Sequence, residues 1–303
     1  MTVTPIVDHA LAEGWIWISQ LGRGLPESGA LYVDSSKILD RIADAMAANV
    51  VHSHWEGLAA SRSVGQGQVQ WNAVVALEEV DRSVAAVTQE QANAVVSARS
   101  AMYDTQAALL TAKNTAEMLH NTGLVLAATS CELAAAKQAT STVDMALSLL
   151  ADRTRRHANM VSRLNKKLTL LVTNLESSQQ TFYSTLPASD LTSVNALKNS
   201  ANTLRVNIAE LMEESASSYL ATQWLREPAE VIAGVGQKVW STHGSYTAEF
   251  NSQLEIFARR RAAVIRKLQR ETESRATTLA AIATRLATTD EEALWLAYTL
   301  DIP

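Results

Sequence analysis

The chain has 303 residues, of which 47% are hydrophobic and 19% charged, with a formal net charge of −5 and one cysteine. It contains 49 alanines but only 11 glycines and 5 prolines. This balance favours helices, argues against turn-rich β-sandwiches, β-barrels and doubly wound sheets, and leaves no disulfide framework or cysteine zinc knuckle within the chain. We therefore predict an all-α protein.

The first quarter is predicted to turn often, because seven of the eleven glycines precede residue 70. A first helix is predicted over Thr4–Gln20, with four apolar residues on one face: Ile6, Leu11, Trp15 and Ile18. Four turn formers follow it: Gly22, Gly24, Pro26 and Gly29. Asp34 or Ser35 then caps a second predicted helix, which runs to about Val50.

The middle of the chain is predicted to form a long helical hairpin. A helix runs to about Asn121 with a nearly heptad seam: Leu77, Val80, Val84, Val87, Gln91, Ala94, Ala98, Ala101, Thr105, Ala108, Ala112, Thr115 and Leu119. Gly123 is the one glycine, with no proline, between residues 68 and 186, so we place the hairpin turn there. The returning helix is predicted over Leu124–Tyr183.

The last third is predicted to contain two more helices, one from about Asp190 to Arg226 and one over Ser245–Thr288. Thr289 or Asp290 then caps a terminal turn. Helices of about 40 to 60 residues exceed the usual globular length, which indicates an elongated bundle of long antiparallel helices. We divide the sequence into residues 1–122 and residues 123–303.

No residue pattern points to catalysis, to a cofactor or to a metal. The six histidines form neither His-Glu-x-x-His nor Glu-x-x-His, and no phosphate-binding or nucleophile-elbow motif is present. His52 and His54 stand two positions apart at a predicted break, which is a poor ligand pair. We expect a protein that is not an enzyme and that needs no cofactor.

Two basic clusters lie in the second half of the chain. They are Arg153, Arg155, Arg156, Arg163, Lys166 and Lys167, and then Arg259, Arg260, Arg261, Arg266, Lys267, Arg270 and Arg275. Such helices contact phosphates or anionic lipid, but the alternative is a solvated face that pairs with acidic residues of the first half, where the net charge is −7. We do not expect nucleic acid as a partner, and an anionic membrane stays an alternative.

We expect no Sec signal peptide, because Met1–Glu13 contains two acidic residues and no lysine or arginine. The uncharged stretch Met118–Cys131 is 14 residues and falls short of a membrane span. Cys131 is either a small buried residue or, in an exported protein, one half of an intermolecular disulfide that joins two subunits.

Trp55-Glu56-Gly57 stands between two predicted helices. Gly57 would let the backbones approach and Trp55 would fill the cleft at the tip of a hairpin, although an ordinary turn with a core tryptophan has the same pattern. Several motifs in this order resemble the N-terminal domain of the EspA and EspE proteins, substrates of the mycobacterial ESX type VII secretion system. They are Leu21 to Pro26 with Gly29, Leu31-Tyr32, Trp55 to Ala60, Leu77 to Arg82, and Gln91 to Val95 with Arg99.

The resemblance implies export and a helical partner. In that family the Trp-x-Gly lies at a hairpin turn, and a Tyr-x-x-x-Asp/Glu export signal follows the hairpin of the other member of the pair. None of the six tyrosines of this chain has an acidic residue four positions later. The resemblance therefore implies a small helical partner that carries the signal, together with secretion machinery or a chaperone. Residues 129–139 are similar to a short stretch of EspB, another secreted substrate.

Three functions follow as hypotheses. The first is a secreted or surface-exposed, non-enzymatic ESX substrate that acts through protein-protein contact in virulence or in secretion itself. The second is a membrane-interacting or pore-forming helical protein, and the third an intracellular coiled-coil scaffold. A homo-oligomer is compatible with each of them.

Overall fold

The computed structural model describes residues 4–21, 26, 28–51, 58–179, 198–215 and 247–300. These ranges form helices and contain no strand: α1 (Pro5–Gln20), α2 (Ala30–Val51), α3 (Leu58–Asn121), α4 (Val125–Gln179), α5 (the helical residues 198–215) and α6 (Ala248–Leu300). The predicted all-α class with long helices is confirmed.

The turn between α3 and α4 is at Gly123, as predicted. Its φ of 78° lies in the left-handed region, where a side chain would be strained. The amides of Gly123 and Leu124 donate to the carbonyls of His120 and Leu119, at 3.0 and 2.9 Å. Carbonyls at the end of α3 are therefore satisfied within the turn, which stops the helix and reverses the chain.

The predicted start of α2 was wrong, because the helix begins at Ala30 and not after a cap at Asp34 or Ser35. Gly29, with a φ of 74°, supplies the turn just before it. The Ser35 hydroxyl lies inside α2 and donates to the carboxylate of Asp81, so it is not used as an N-cap.

The predicted end of the last helix was also wrong. α6 continues through Thr289 and Asp290 to Leu300. Threonine and aspartate reduce helix propensity by less than about 1 kcal/mol each, whereas the glutamates, alanines and leucines that follow are strong helix formers. A break would need glycine or proline, and this segment has neither.

The heptad seam of α3 is correct only in its first part. Residues Leu77 to Ala98 of the predicted seam are buried, but Ala108 and Thr115 are exposed and their neighbours Leu109 and Ala116 are buried instead. A helix of 3.6 residues per turn drifts against a strict 3.5-residue repeat, so over 40 residues the buried line moves by one position.

The predicted inner face of α1 was wrong at Trp15, which is 61% exposed. The buried face has smaller residues: Val7, Ala10, Gly14 and Ile18. A Cβ at Gly14 would lie 3.4 Å from the side chain of Gln106 in α3, so the two helices are close there. Small residues at the contact allow that approach, while a tryptophan would prevent it.

The chain forms two compact units. Unit 1 contains Met1–Gly29, Ala86–Ser162 and Leu225–Leu254, and unit 2 contains Ala30–Ala85, Arg163–Trp224 and Glu255–Pro303. Each unit includes residues from both sides of residue 122, and the division into 1–122 and 123–303 stays a prediction about the sequence.

Several predicted residues lie outside the described ranges: Gly22, Gly24, His52, His54, Trp55 and Gly57. Among the described residues, no three His, Cys, Asp or Glu side chains come together in a way that could hold a metal ion. No helix in the described ranges has both the length and the apolarity to cross a membrane.

Candidate interaction site around Arg261

The most buried polar cluster of unit 2 is centred on Arg261 of α6. Its Nε donates to Oδ1 and Oδ2 of Asp81 in α3, at 2.7 and 2.9 Å, and its Nη2 donates to Asp81 Oδ2 at 2.6 Å. Nη2 also donates to Glu214 of α5 and to the hydroxyl of Ser35 in α2, and that hydroxyl donates to Asp81 Oδ2 at 2.5 Å. One guanidinium therefore joins four helices. We call these four residues the Arg261 cluster.

The ionised groups of the Arg261 cluster are removed from water. Arg261, Asp81 and Glu214 are each at most 1% exposed. Burial raises the pKa of Asp81, since the loss of hydration outweighs the opposing attraction of Arg261. Burial alone would lower the pKa of Arg261, but the Asp81 and Glu214 carboxylates more than reverse that effect and raise it. Charges buried in this way are tolerated only when they are paired with good geometry.

An aromatic contact joins α2 and α6 beside the Arg261 cluster. The rings of Tyr32 in α2 and Phe257 in α6 meet edge to face, with centroids 5.5 Å apart and planes at 80°. Tyr32 is one of the residues that carry the family resemblance. Phe257 lies one helical turn before Arg261, so α2 contacts α6 through an apolar pair and a polar cluster side by side.

A third contact in unit 2 depends on a glycine near the N-terminus of α3. A Cβ added at Gly67 would lie 2.6 Å from Nη1 and 2.7 Å from Nη2 of Arg275, which means that the guanidinium of α6 lies directly on the α3 backbone. Arg275 Nη1 also donates to Gln70 Oε1 at 3.4 Å. Burial lowers the pKa of Arg275 to about 10.

In unit 1, α1 is held at both ends by long-range contacts. Glu132 of α4 accepts hydrogen bonds from the amides of Ile6 and Val7, at 3.0 and 3.3 Å, and so binds the positive end of the helix. Arg99 of α3 donates through Nε and Nη2 to the carbonyl of Leu21, at 3.1 and 2.6 Å. Leu21 and Arg99 are 78 positions apart, and both belong to the motifs that resemble EspA and EspE.

A cluster of polar side chains between α3 and α4 in unit 1 is centred on His157. Its Nδ1 lies 2.7 Å from Gln91 Oε1, and Gln91 Nε2 donates to Thr154 Oγ1 at 2.9 Å. The ring also meets Phe250 edge to face, with centroids 6.4 Å apart. Burial lowers the pKa of His157, against the opposing effect of Glu90.

The predicted basic clusters divide between surface and core. Arg259 and Arg266 are exposed, and Arg259 pairs with Glu255 one turn before it. Arg261 and Arg275, in contrast, are buried and therefore cannot contact a phosphate or a lipid headgroup. The predicted solvated face was wrong for these two arginines, which are buried, whereas the predicted pairing with an acidic residue of the first half is confirmed for Arg261, whose partner is Asp81.

A sequence signal for the buried arginines exists but was not recognised. The buried residues of α6 recur every three or four positions: Phe250, Leu254, Phe257, Arg261, Val264, Leu268, Thr272, Arg275, Leu279 and Ala283. Arg261 and Arg275 occupy this apolar series, whereas Arg259, Arg260, Arg266 and Arg270 do not. A charged residue in phase with an apolar stripe is a candidate for burial, but the stripe does not indicate which group would be its partner.

Cys131 is half-buried in α4 and has no disulfide partner within the described part of the chain. It precedes Glu132, which binds the N-terminus of α1. The role of Cys131 in an intermolecular disulfide stays a prediction. Gly29, the last residue of the predicted turn cluster, is buried and has a positive φ.

Two family models match the chain. Residues 21–104 match the EspA/EspE family, and residues 200–294 match the family described as excreted virulence factor EspC, type VII ESX diderm. No curated protein and no solved structure matches the chain. Neither range includes residues 129–139, so the similarity to EspB stays a prediction. The predicted resemblance to EspA and EspE is confirmed, and a second, separate segment is similar to EspC, so that two segments of this chain are similar to families of ESX type VII secretion substrates.

Proposed function

We propose that this protein is exported by an ESX type VII system and acts outside the cytoplasm by protein-protein contact, without catalysis, in virulence or in secretion itself. The observation that carries the proposal is the presence of two separate ESX-family segments on one chain. The buried polar groups of both units support a contact role, because their partners lie on other helices of the chain.

The partners proposed from the resemblance are the secretion machinery or a chaperone, and a small helical protein that carries the Tyr-x-x-x-Asp/Glu signal. The tyrosines of this chain lack that signal, which supports a partner in trans. Trp55 and Gly57 are proposed to act in export at a hairpin turn. We further propose that the chain reaches the medium or the cell surface through type VII secretion.

Export is tested by quantifying the protein in culture filtrate and in cells, in a wild-type ESX strain and in one that lacks secretion activity. We expect the chain in the filtrate only when secretion is active. Trp55→Ala should abolish export while the cellular amount stays the same, and Trp71→Ala is a control tryptophan substitution in α3. Equal amounts in the filtrate of both strains would contradict the proposal.

A second candidate function, membrane association, is favoured by the tip of the α3–α4 hairpin. Leu124 and Val125 are more than half exposed, and Leu126 is 87% exposed. Apolar side chains at a helical tip can enter a lipid interface. Vesicle flotation and dye leakage test this candidate, with Leu126→Ser as the variant. No binding at any pH would exclude it.

A further inference from the structure

The two family segments meet in the core of unit 2. The EspA/EspE-like range supplies α2 and the first part of α3, and the EspC-like range supplies α5 and most of α6. Three contacts described above lie within one range, namely Ser35–Asp81, Glu214–Arg261 and Glu255–Arg259, and the others in unit 2 join the two ranges. The pairs are Ser35 and Asp81 with Arg261, Asp81 with Glu214 through Arg261, Tyr32 with Phe257, and Gly67 and Gln70 with Arg275.

The EspC-like range also forms an apolar core of its own between α5 and α6. Ala201, Leu204 and Ile208 of α5 pack with Ala276, Leu279 and Ala283 of α6. This range therefore contributes a helical pair, and the residues that face the EspA/EspE-like range lie nearer the N-terminus of α6.

Neither range satisfies its buried charges by itself. Without α6, Asp81 would keep only the Ser35 hydroxyl among the partners in the Arg261 cluster, and without α3, Arg261 would lose both oxygens of its bidentate carboxylate. The geometry is specific, because a fork of donors from one guanidinium must meet Asp81, Ser35 and Glu214 at once. Apolar helices could slide along one another, whereas this arrangement fixes one register.

We infer that residues 200–294 are a built-in partner for residues 21–104. The chain carries both members of a helical pair, and the Arg261 cluster selects their register. The surface of α2 and α3 that a helical protein could occupy is taken by α5 and α6 of the same chain. A partner that brings an export signal must then bind another surface. This inference does not depend on export and holds for a chain that is never secreted.

The inference is tested with the full chain, into which a specific protease site is inserted after Pro187. After cleavage, the two pieces should remain together in size-exclusion chromatography under native conditions. Before cleavage, light scattering should give the mass of one chain, since the pairing is intramolecular. Separation of the pieces would overturn the inference, and so would an obligate dimer that Arg261→Ala converts to monomers.

The Arg261 cluster is tested on the same cleaved protein. Arg261→Ala should weaken the association of the two pieces by about 100-fold or more, as expected for the loss of one partner of a buried pair. Arg259→Ala is the matched control, because Arg259 is exposed two positions away and pairs only within α6 in the described structure. Asp81→Asn, which keeps the shape of the side chain, should weaken association in the same direction. Equal affinity of the Arg261→Ala and Arg259→Ala proteins would show that the pieces are held elsewhere and would overturn the role of Arg261.

Discussion

Arg261 Nε lies 2.7 Å from Asp81 Oδ1, although 180 positions separate the two residues along the chain. The pair brings α3 and α6 together at a point where neither side chain contacts water. A charge so buried is stable only with its partner. The folded positions of α3 and α6 therefore depend on each other through this contact. Four predictions follow from it and from the other buried contacts.

Replacing Arg261 with methionine should reduce the free energy of unfolding by about 3–5 kcal/mol at neutral pH, because the buried carboxylates of Asp81 and Glu214 would both lose this guanidinium. The reduction should be smaller near about pH 5. Loss of the arginine would raise the pKa of Asp81 further above its unfolded value, so the folded variant binds more protons and gains stability as pH falls. Urea unfolding at two pH values measures this, and Arg259→Met should change little. An equal loss at both pH values would contradict the electrostatic cause.

Alanine substitutions at the two glycines of α3 should change the stability of the protein by amounts that differ in sign or size. Gly65→Ala should stabilise by up to about 1 kcal/mol, since nothing lies within 4 Å of the added methyl group and alanine favours the helix. Gly67→Ala should lose that gain, because the methyl group would meet the buried guanidinium of Arg275. Thermal unfolding measures both, and Arg275→Ala should restore the benefit at position 67. The same gain at both positions in the wild-type background would contradict the contact.

Acid should destabilise unit 1 through His157. Burial lowers the pKa of His157 in the folded state, so the unfolded chain binds the proton more readily and stability falls as pH drops through the unfolded pKa of 6.5. His157→Gln, which keeps a donor toward Gln91, should remove this part of the pH dependence. The measurement is the difference in unfolding midpoint between the wild type and the variant from pH 8 to pH 5. A constant difference across this range would contradict the role of His157.

Removal of the Glu132 carboxylate should loosen α1. Glu132→Ala leaves the amides of Ile6 and Val7 without their acceptor, at a cost of about 1–3 kcal/mol. Hydrogen exchange at these two amides should accelerate by tenfold or more, while exchange in α6 is unchanged. Asp144→Ala, an exposed acidic residue of the same helix, is the control. Protection that survives in the Glu132→Ala protein would contradict the anchoring contact.

Much of the helical layout was predictable because it depends on local properties. Alanine content and the shortage of glycine indicated long helices, and Gly123 marked the turn because glycine adopts a φ of 78° without strain. The residues that resemble EspA and EspE, including Leu21, Tyr32 and Arg99, also proved to make contacts that hold the helices together.

The errors arose where packing overrides local signals. Serine is a common N-cap residue, but Ser35 donates to Asp81 inside the core. Trp15 is apolar but exposed, because the face of α1 that packs against α3 has smaller side chains. The seam of α3 was correct at Leu77 and wrong by Ala108, since the drift of a real helix accumulates along its length.

By itself the sequence determined the fold class, the main turn and the resemblance of its first third to an ESX substrate. Only the tertiary structure decided that Arg261 and Arg275 are core residues and not parts of a basic surface. Helical periodicity reports which residues share a face, but not whether that face meets water or a carboxylate brought from 180 positions away. The free energy of a charged side chain depends on whether it is hydrated or buried beside an opposite charge, more than on any property of its neighbours in sequence.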